Sequence, residues 1–265
     1  MRVSVVIPTA NQRPRELARA IRSVSTQRLG RSVSEVDAVV TNNSVRPLTG
    51  DTLDVSRSVD IRIVDASQVS GVSHARNVGA RSTQFETLAF LDDDDWWTET
   101  YLEEMGEAMI ESGCELVCCG QQNWTDAGEI KTGKQPPITL TIDQVFLDNP
   151  GVGGSNILVR RDAFEQLAGF DETLAASNDK DFLIRFLKHG FHHHALQRRL
   201  VVIDVSSRAH LGRLSREKIE SAQRFYGLHA DGVQAEVRAA FRFRLRLWEA
   251  ILRRSWTRLG WLWFC

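Results

Sequence analysis

The side chains with the most chemistry to offer stand together in Phe90-Leu91-Asp92-Asp93-Asp94-Asp95-Trp96-Trp97, where an apolar run ends in four consecutive carboxylates. Two carboxylates about 5 Å apart at an effective dielectric of roughly 20 repel by about 3 kcal/mol, so so dense a cluster needs a cation or full solvation. Extended geometry continued past a strand end puts Asp92 and Asp94 on one side and Asp93 and Asp95 on the other. Hard oxygens at that spacing suit Mg²⁺ or Mn²⁺, which keeps several waters and binds a substrate phosphate through one or two protein carboxylates. A solvated acidic loop is the plain alternative. Entry from an apolar strand and exit through two tryptophans favours the metal.

A second carboxylate pair, Asp179 and Asp181, opens the apolar helix predicted around Phe182-Leu183-Ile184-Arg185-Phe186-Leu187. Carboxylates at a helix start are favoured by the dipole and by free backbone N–H groups, so a capping role and a catalytic one are both open. His192-His193-His194 invites a metal reading, but adjacent residues of a strand cannot all face one ion, and an exposed strand is expected there.

The elements that must hold these groups alternate. Val3-Ser4-Val5-Val6-Ile7, Val36-Asp37-Ala38-Val39-Val40, Ile61-Arg62-Ile63-Val64-Asp65 and the run ending at Leu91 read as strands. Glu16 to Ile21 and Val72 to Ala80 read as helices between them, and Thr100 to Ile110 as an amphipathic helix after them. The pattern predicts an α/β fold with a largely parallel sheet, helices on both faces, and ligands at the carboxyl ends of the strands, where the loops at Pro8, Thr41 and Asp92 would line one crevice. Gly120 to Thr139 reads as polar and irregular, and Asn149-Pro150-Gly151-Val152-Gly153-Gly154-Ser155 as a flexible turn.

The chain has 265 residues, 42% hydrophobic and 25% charged, which is enough for a full core. A net charge of -1 argues against nucleic acid as a partner. Cys114, Cys118, Cys119 and Cys265 lack metal-ligand spacing, and three of them lie in one apolar run, so reduced thiols and a cytoplasmic location are expected. An opening that runs straight into a strand and the lack of a long uninterrupted apolar segment argue against secretion and membrane spanning.

Taken together, these pieces resemble the family 2 glycosyltransferases of GT-A type, which transfer a sugar from an activated nucleotide with inversion. Val5-Val6-Ile7-Pro8-Thr9-Ala10-Asn11 is similar to that family's opening strand, Ala75-Arg76-Asn77-Val78-Gly79 to its Ala-Arg-Asn-x-Gly helix, and Phe90 to Asp95 to its Asp-x-Asp segment. Val159-Arg160-Arg161-Asp162, Gly169-Phe170-Asp171-Glu172 and Asn178-Asp179-Lys180-Asp181-Phe182 resemble its acceptor-side pattern. The resemblance covers roughly residues 3 to 215 and implies a GT-A domain over 1–215, divided into a nucleotide-sugar half (1–95) and an acceptor half (96–215), followed by a helical extension (216–265).

The resemblance also implies roles. Asp94 is expected as the main metal ligand, with Asp92 a metal or ribose contact and Asp93 at the ribose. Pro8, Thr9, Ala10 and Arg76 would touch the nucleotide, and Asp179 would be the base that deprotonates the acceptor. Gly153 and Gly154 would lie beneath the acceptor, with Asp181 orienting it or capping the helix. His210 sits where some relatives complete the metal site or touch the diphosphate; a surface-loop histidine is the alternative. Two positions depart from the family: Ala10 stands where many relatives have Tyr, and Thr41-Asn42 where they have an Asp pair. The Asn42 amide oxygen can still accept from the N3–H of uracil or thymine, so UDP or dTDP is the expected donor nucleotide, with GDP an alternative.

From Ser215 on the chain reads as helix, with Phe241, Leu245, Trp248, Leu252, Trp256 and Leu259 on one face and Arg238, Arg242, Arg244, Arg246, Arg253, Arg254 and Arg258 around it. Such a segment suits the inner face of an anionic membrane, with packing on the catalytic domain or a partner as the alternative. The overall expectation is a metal-dependent inverting transferase acting on a carbohydrate or lipid-linked acceptor in surface polysaccharide or glycolipid assembly. A nucleotidyltransferase, which would carry a Gly- and Lys-rich phosphate loop, and a non-catalytic nucleotide-sugar binder are the competing expectations.

Overall fold

The computed structural model describes residues 1–48, 59–206 and 214–260. The first half is built from β1 (Arg2–Thr9), α1 (Pro14–Ser25), β2 (Glu35–Asn42), β3 (Asp60–Asp65), α2 (Val72–Ser82) and β4 (Thr87–Phe90). β1 is buried from Val3 to Thr9, as its unbroken apolar sequence requires of a central parallel strand. Pro14 starts α1, where its missing N–H costs nothing, and Leu17, Ala20, Ile21 and Val24 form the face that meets the sheet. β1 pairs in parallel with β2 and β4, and β2 with β3. Thr9, Asn42 and the chain after Phe90 therefore leave the sheet at one edge.

The second half continues the sheet through β5 (Trp96–Trp97), β6 (Leu116–Trp124), β7 (Ile130–Thr132), β8 (Ile157–Arg160) and β9 (His193–Asp204), with helices α3 (Tyr101–Ser112), α4 (Ile142–Leu147), α5 (Arg161–Gln166) and α6 (Asn178–His189). Among the described residues the strand order is β3-β2-β1-β4-β8-β6-β9-β5, with β7 beside β6. β8 runs antiparallel between β4 and β6, so the sheet is mixed, with parallel pairing resuming between β6 and β9. Within the stretch expected to be irregular, Gly120 to Thr139, residues 120–124 are the outer part of β6 and 130–132 are β7, paired as a hairpin, while 133–139 are irregular. The strand amides sit on a ladder that the polar composition concealed.

The core has two layers. Val6, Leu88 and Phe90 point to one face of the sheet, where Phe164, Phe170 and Phe182 pack, and Val5, Ile7, Ala89 and Leu91 point to the other, against Leu17, Leu102 and Met105. α2 lies very close to the sheet at Gly79, where an added Cβ would stand 2.3 Å from Val6 Cγ1 and 3.0 Å from Thr41 Cγ2. Cys114, Cys118 and Cys119 are free and buried, and burial pushes the Cys118 thiol up to about 12.

Helices α7 (Arg216–His229) and α8 (Ala235–Gly260) close the first layer. Phe241 and Leu245 are buried there, Phe241 lying 4.8 Å from the Phe146 ring and 5.8 Å from Phe225, with Trp248 partly buried beside them. The helix face expected to meet a membrane is thus packed on the protein over these three residues. No described helix is long and apolar enough to cross a membrane.

Candidate active site

The four aspartates do not continue the strand. Asp95 N–H donates to Asp92 O at 3.1 Å, closing a turn that hands each carboxylate to a different partner in place of the expected two-sided alternation. Asp92 Oδ1 accepts from Arg76 Nη2 at 2.6 Å, and Asp93 Oδ2 from Thr9 Oγ1 at 2.6 Å. Asp94, 5% exposed, accepts from Arg13 Nη1, and its carbonyl takes Arg19 Nη2 at 2.7 Å. Asp95 accepts from Ser155 Oγ at 2.7 Å and from Asp204 N–H at 3.1 Å, fastening the turn to the end of β9. Burial pushes the Asp93 carboxyl up to about 6; the Thr9 hydrogen bond opposes this and the neighbouring Asp94 charge adds to it.

Arg76, 2% exposed on α2, joins the two halves of the site: its Nη1 donates to Asp179 Oδ1 at 2.9 Å while Nη2 holds Asp92. Burial works against the guanidinium charge, and the two carboxylates outweigh it, so its pKa is raised. Its Nε is buried with no hydrogen-bond partner among the described residues, and its face lies 5.1 Å from the Phe170 ring. Asn77, the next residue, donates to Phe170 O and Glu172 at 2.8 Å each, and Asn178 Nδ2 donates to Ser73 Oγ at 3.0 Å. These bonds fix the Gly169 to Glu172 turn and the start of α6, which carries Asp179, against α2.

Asp92 and Asp179 line one cavity of about 300 Å³ together with Gly153, Gly154, Asp95 and Ser155. A Cβ on Gly154 would lie 2.2 Å from Arg76 Nη2 and one on Gly153 3.8 Å from Asp179 Oδ2, so the bare backbone makes room for the arginine and borders Asp179. Gln121, Asn123, Lys134 and Asn149, which sequence reasoning did not single out as site residues, also line it. A period-two reading of Gln121 and Asn123 would have put both on one face of a strand. Arg13 and Arg19 were missed as well.

Asp181, expected to orient the acceptor or cap its helix, does not line this cavity. It is 1% exposed, with Oδ1 taking His229 Nε2 at 2.8 Å and Oδ2 taking Arg185 Nε and Nη2 at 2.9 and 2.6 Å. Burial raises its pKa, and the His229 and Arg185 bonds overcome that and hold it low. Its place in a buried ion-pair network makes it a brace between α6 and α7. Of the nucleotide-side residues, Pro8 is buried, Ala10 exposed, and Asn42 6% exposed. Asn42 Nδ2 donates to Arg46 O at 2.8 Å, while its Oδ1 is buried with no partner among the described residues. His210 lies outside the described residues.

The glycosyl transferase family 2 model matches residues 4–168, the span that contains the opening strand, Arg76 and the aspartate turn. The chain belongs to this family. The chain is also similar to glycosyltransferases: an uncharacterized glycosyltransferase of Haemophilus influenzae is 22% identical over 70% of this chain and 62% of its own length, and the uncharacterized glycosyltransferase YwdF of Bacillus subtilis is 26% identical over 71% and 69%. The chain therefore spans less than two thirds of the Haemophilus protein. Solved glycosyltransferases share the GT-A fold: S. aureus TarS 1–349 in complex with UDP-GlcNAc has a TM-score of 0.68 at 14% identity, covering 86% of this chain and 66% of that one. The mannosyltransferase PcManGT of Pyrobaculum calidifontis, in complex with GDP-Man and Mn²⁺, has a TM-score of 0.64 at 18% identity, covering 97% and 75%.

A family 2 enzyme with an Asp-x-Asp segment implies a divalent metal. Asp92 and Asp94 fit such an ion in donor chemistry, being hard oxygens, and Asp92 already lines the cavity. Among the described residues no three acidic, His or Cys side chains converge as a ready metal cage, and Asp94 would join Asp92 by exchanging Arg13 for the ion.

Proposed function

We propose that this family 2 glycosyltransferase moves a sugar from a nucleoside diphosphate to an acceptor hydroxyl with inversion, Asp179 serving as the base. The observation that supports it best is that Asp179 and Asp92 share a cavity and one buried guanidinium, at 2.9 and 2.6 Å from its two terminal nitrogens. In this reading the acceptor lies over Gly153 and Gly154, Asp179 takes the hydroxyl proton as the oxygen attacks the anomeric carbon, and the nucleotide leaves from the opposite side. No covalent sugar intermediate is needed. Arg76 holds Asp179 in place through its 2.9 Å hydrogen bond. Asp92 and Asp94 would hold the metal, which when bound neutralises charge on the diphosphate.

The buried Asn42 oxygen, without a partner among the described residues, supports a donor base with an N–H to offer, as in UDP or dTDP. The solved neighbours bind UDP-GlcNAc and GDP-Man, so GDP stays in the panel. A thermal-shift series with UDP, dTDP, GDP and CDP, with and without Mn²⁺, identifies the nucleotide, because a ligand of the folded state raises its melting temperature. Asp179→Asn is expected to lower donor turnover by about 10³-fold or more while nucleotide binding stays within about threefold. Unchanged turnover would remove Asp179 from the role. A carbohydrate or lipid-linked acceptor, as in surface polysaccharide or glycolipid assembly, completes the proposal.

A further inference from the structure

The packing of Phe241 and Leu245 into the core leaves a second apolar stripe on α8 facing out. Phe243 is 70% exposed, Leu247 48% and Ile251 49%, at successive four-residue steps along one side of the helix. Arg242, Arg246 and Arg253 are exposed and, at about 100° per residue, fall within about 40° of one another in a strip adjoining it. The sequence from Val237 to Arg253 holds one acid, Glu249, and Gln223 Nε2 on α7 donates to it at 2.7 Å. The outward face is therefore apolar with a cationic border.

We propose that this face docks on an anionic lipid surface. Charge decides the occupant: a two-fold contact with a second copy would bring like arginine strips together with the nearby acid already engaged, whereas anionic headgroups supply the countercharge and the acyl region takes Phe243, Leu247 and Ile251. Docking there bears on the cavity. Arg244, on the flank of the same helix, donates to Leu147 O at the end of α4, and Asn149, two residues on, belongs to the cavity wall. Through Arg244 the same helix braces the chain that leads into the cavity lining, which suits an acceptor held in the bilayer. The docking itself does not depend on the transfer chemistry.

The test is co-sedimentation of the full chain with phosphatidylcholine vesicles and with vesicles containing about one third phosphatidylglycerol. Binding to the anionic vesicles is expected, weaker binding to the neutral ones, and weakening by salt. Combined Phe243→Ser, Leu247→Ser and Ile251→Ser should reduce binding roughly tenfold or more, and Arg242→Gln, Arg246→Gln and Arg253→Gln should abolish the preference for anionic lipid. Both sets should keep the parent melting temperature, since the side chains are exposed; if the serine set does not, Phe243→Ser alone carries the comparison. The idea is overturned if the parent protein ignores lipid, if the serine variants bind as well as the parent, in which case the contact lies elsewhere, or if the parent is a dimer that the serine set makes monomeric.

Discussion

Arg76 and Asp179 meet at 2.9 Å although 103 positions separate them, and the same guanidinium reaches Asp92 at 2.6 Å. One cation thus holds two carboxylates, one at the end of β4 and one at the start of α6. A lysine could serve as a point charge there but lacks the fork. Arg76→Lys is expected to lower kcat/KM by about 10² or more, and Arg76→Ala to cost about 2–3 kcal/mol of stability by leaving two partly buried carboxylates uncompensated. Steady-state kinetics and urea denaturation check the pair; a lysine variant with parent kinetics would show that the fork is dispensable.

Gly154→Ala should mimic a lesion in Arg76 without touching its charge. The new methyl would stand 2.2 Å from Nη2, and the guanidinium, pinned by both aspartates, cannot retreat without breaking a bond. We expect kcat to fall about tenfold or more with a smaller effect on nucleotide affinity. A loss confined to donor KM would place the disturbance at the nucleotide instead.

Asn42→Ala removes a buried oxygen at the end of β2 that has no partner among the described residues. Base binding is the same in ground and transition states, so donor KM should rise by about tenfold and kcat change little. The competing pattern, a kcat defect at constant KM, would argue that Asn42 supports the loop through Arg46 O and leaves the base alone.

Lys180 follows the proposed base in sequence but points into the core, donating to Phe146 O at 2.7 Å and lying 4.7 Å from the Phe225 ring. Burial pushes its ammonium down to about 7 from an ordinary 10.5, and the Arg244 charge adds to this. Between those two values the unfolded chain binds the proton that the folded one has released, so stability should rise with pH across that window, by on the order of a few kcal/mol. Lys180→Met should flatten the rise. Chemical denaturation from pH 6 to about 10 compares the slopes, and parallel slopes in the two proteins would place the titration on another group.

Much of the first half was readable in advance because β1, β2 and β4 are covered on both faces and so show as plain apolar runs. The Arg76 helix and the aspartate cluster were legible for a related reason: their residue types are unusual and close in sequence. What escaped was long-range pairing. Arg13 finds Asp94 across 81 positions and Arg19 finds Asp204 across 185, and neither arginine differs in sequence from a surface one. On α8 the period was right but apolar residues occupy two sides, and only packing against Phe146 and Phe225 decides that Phe241 is the inner one and Phe243 the outer. Asp181 stood two residues from Asp179 at the same helix start, and its burial with His229 could not be seen without α7 in place.

The contact at Gly79 sets the depth of the guanidinium from behind. With Val6 and Thr41 already against its backbone, even one methyl there would lift α2 off β1 and β2 and carry Arg76 away from both aspartates together. Side chains that merely line the cavity, such as Lys134 or Asn149, have room to be exchanged, while the helix that seats the cation has almost no freedom to drift.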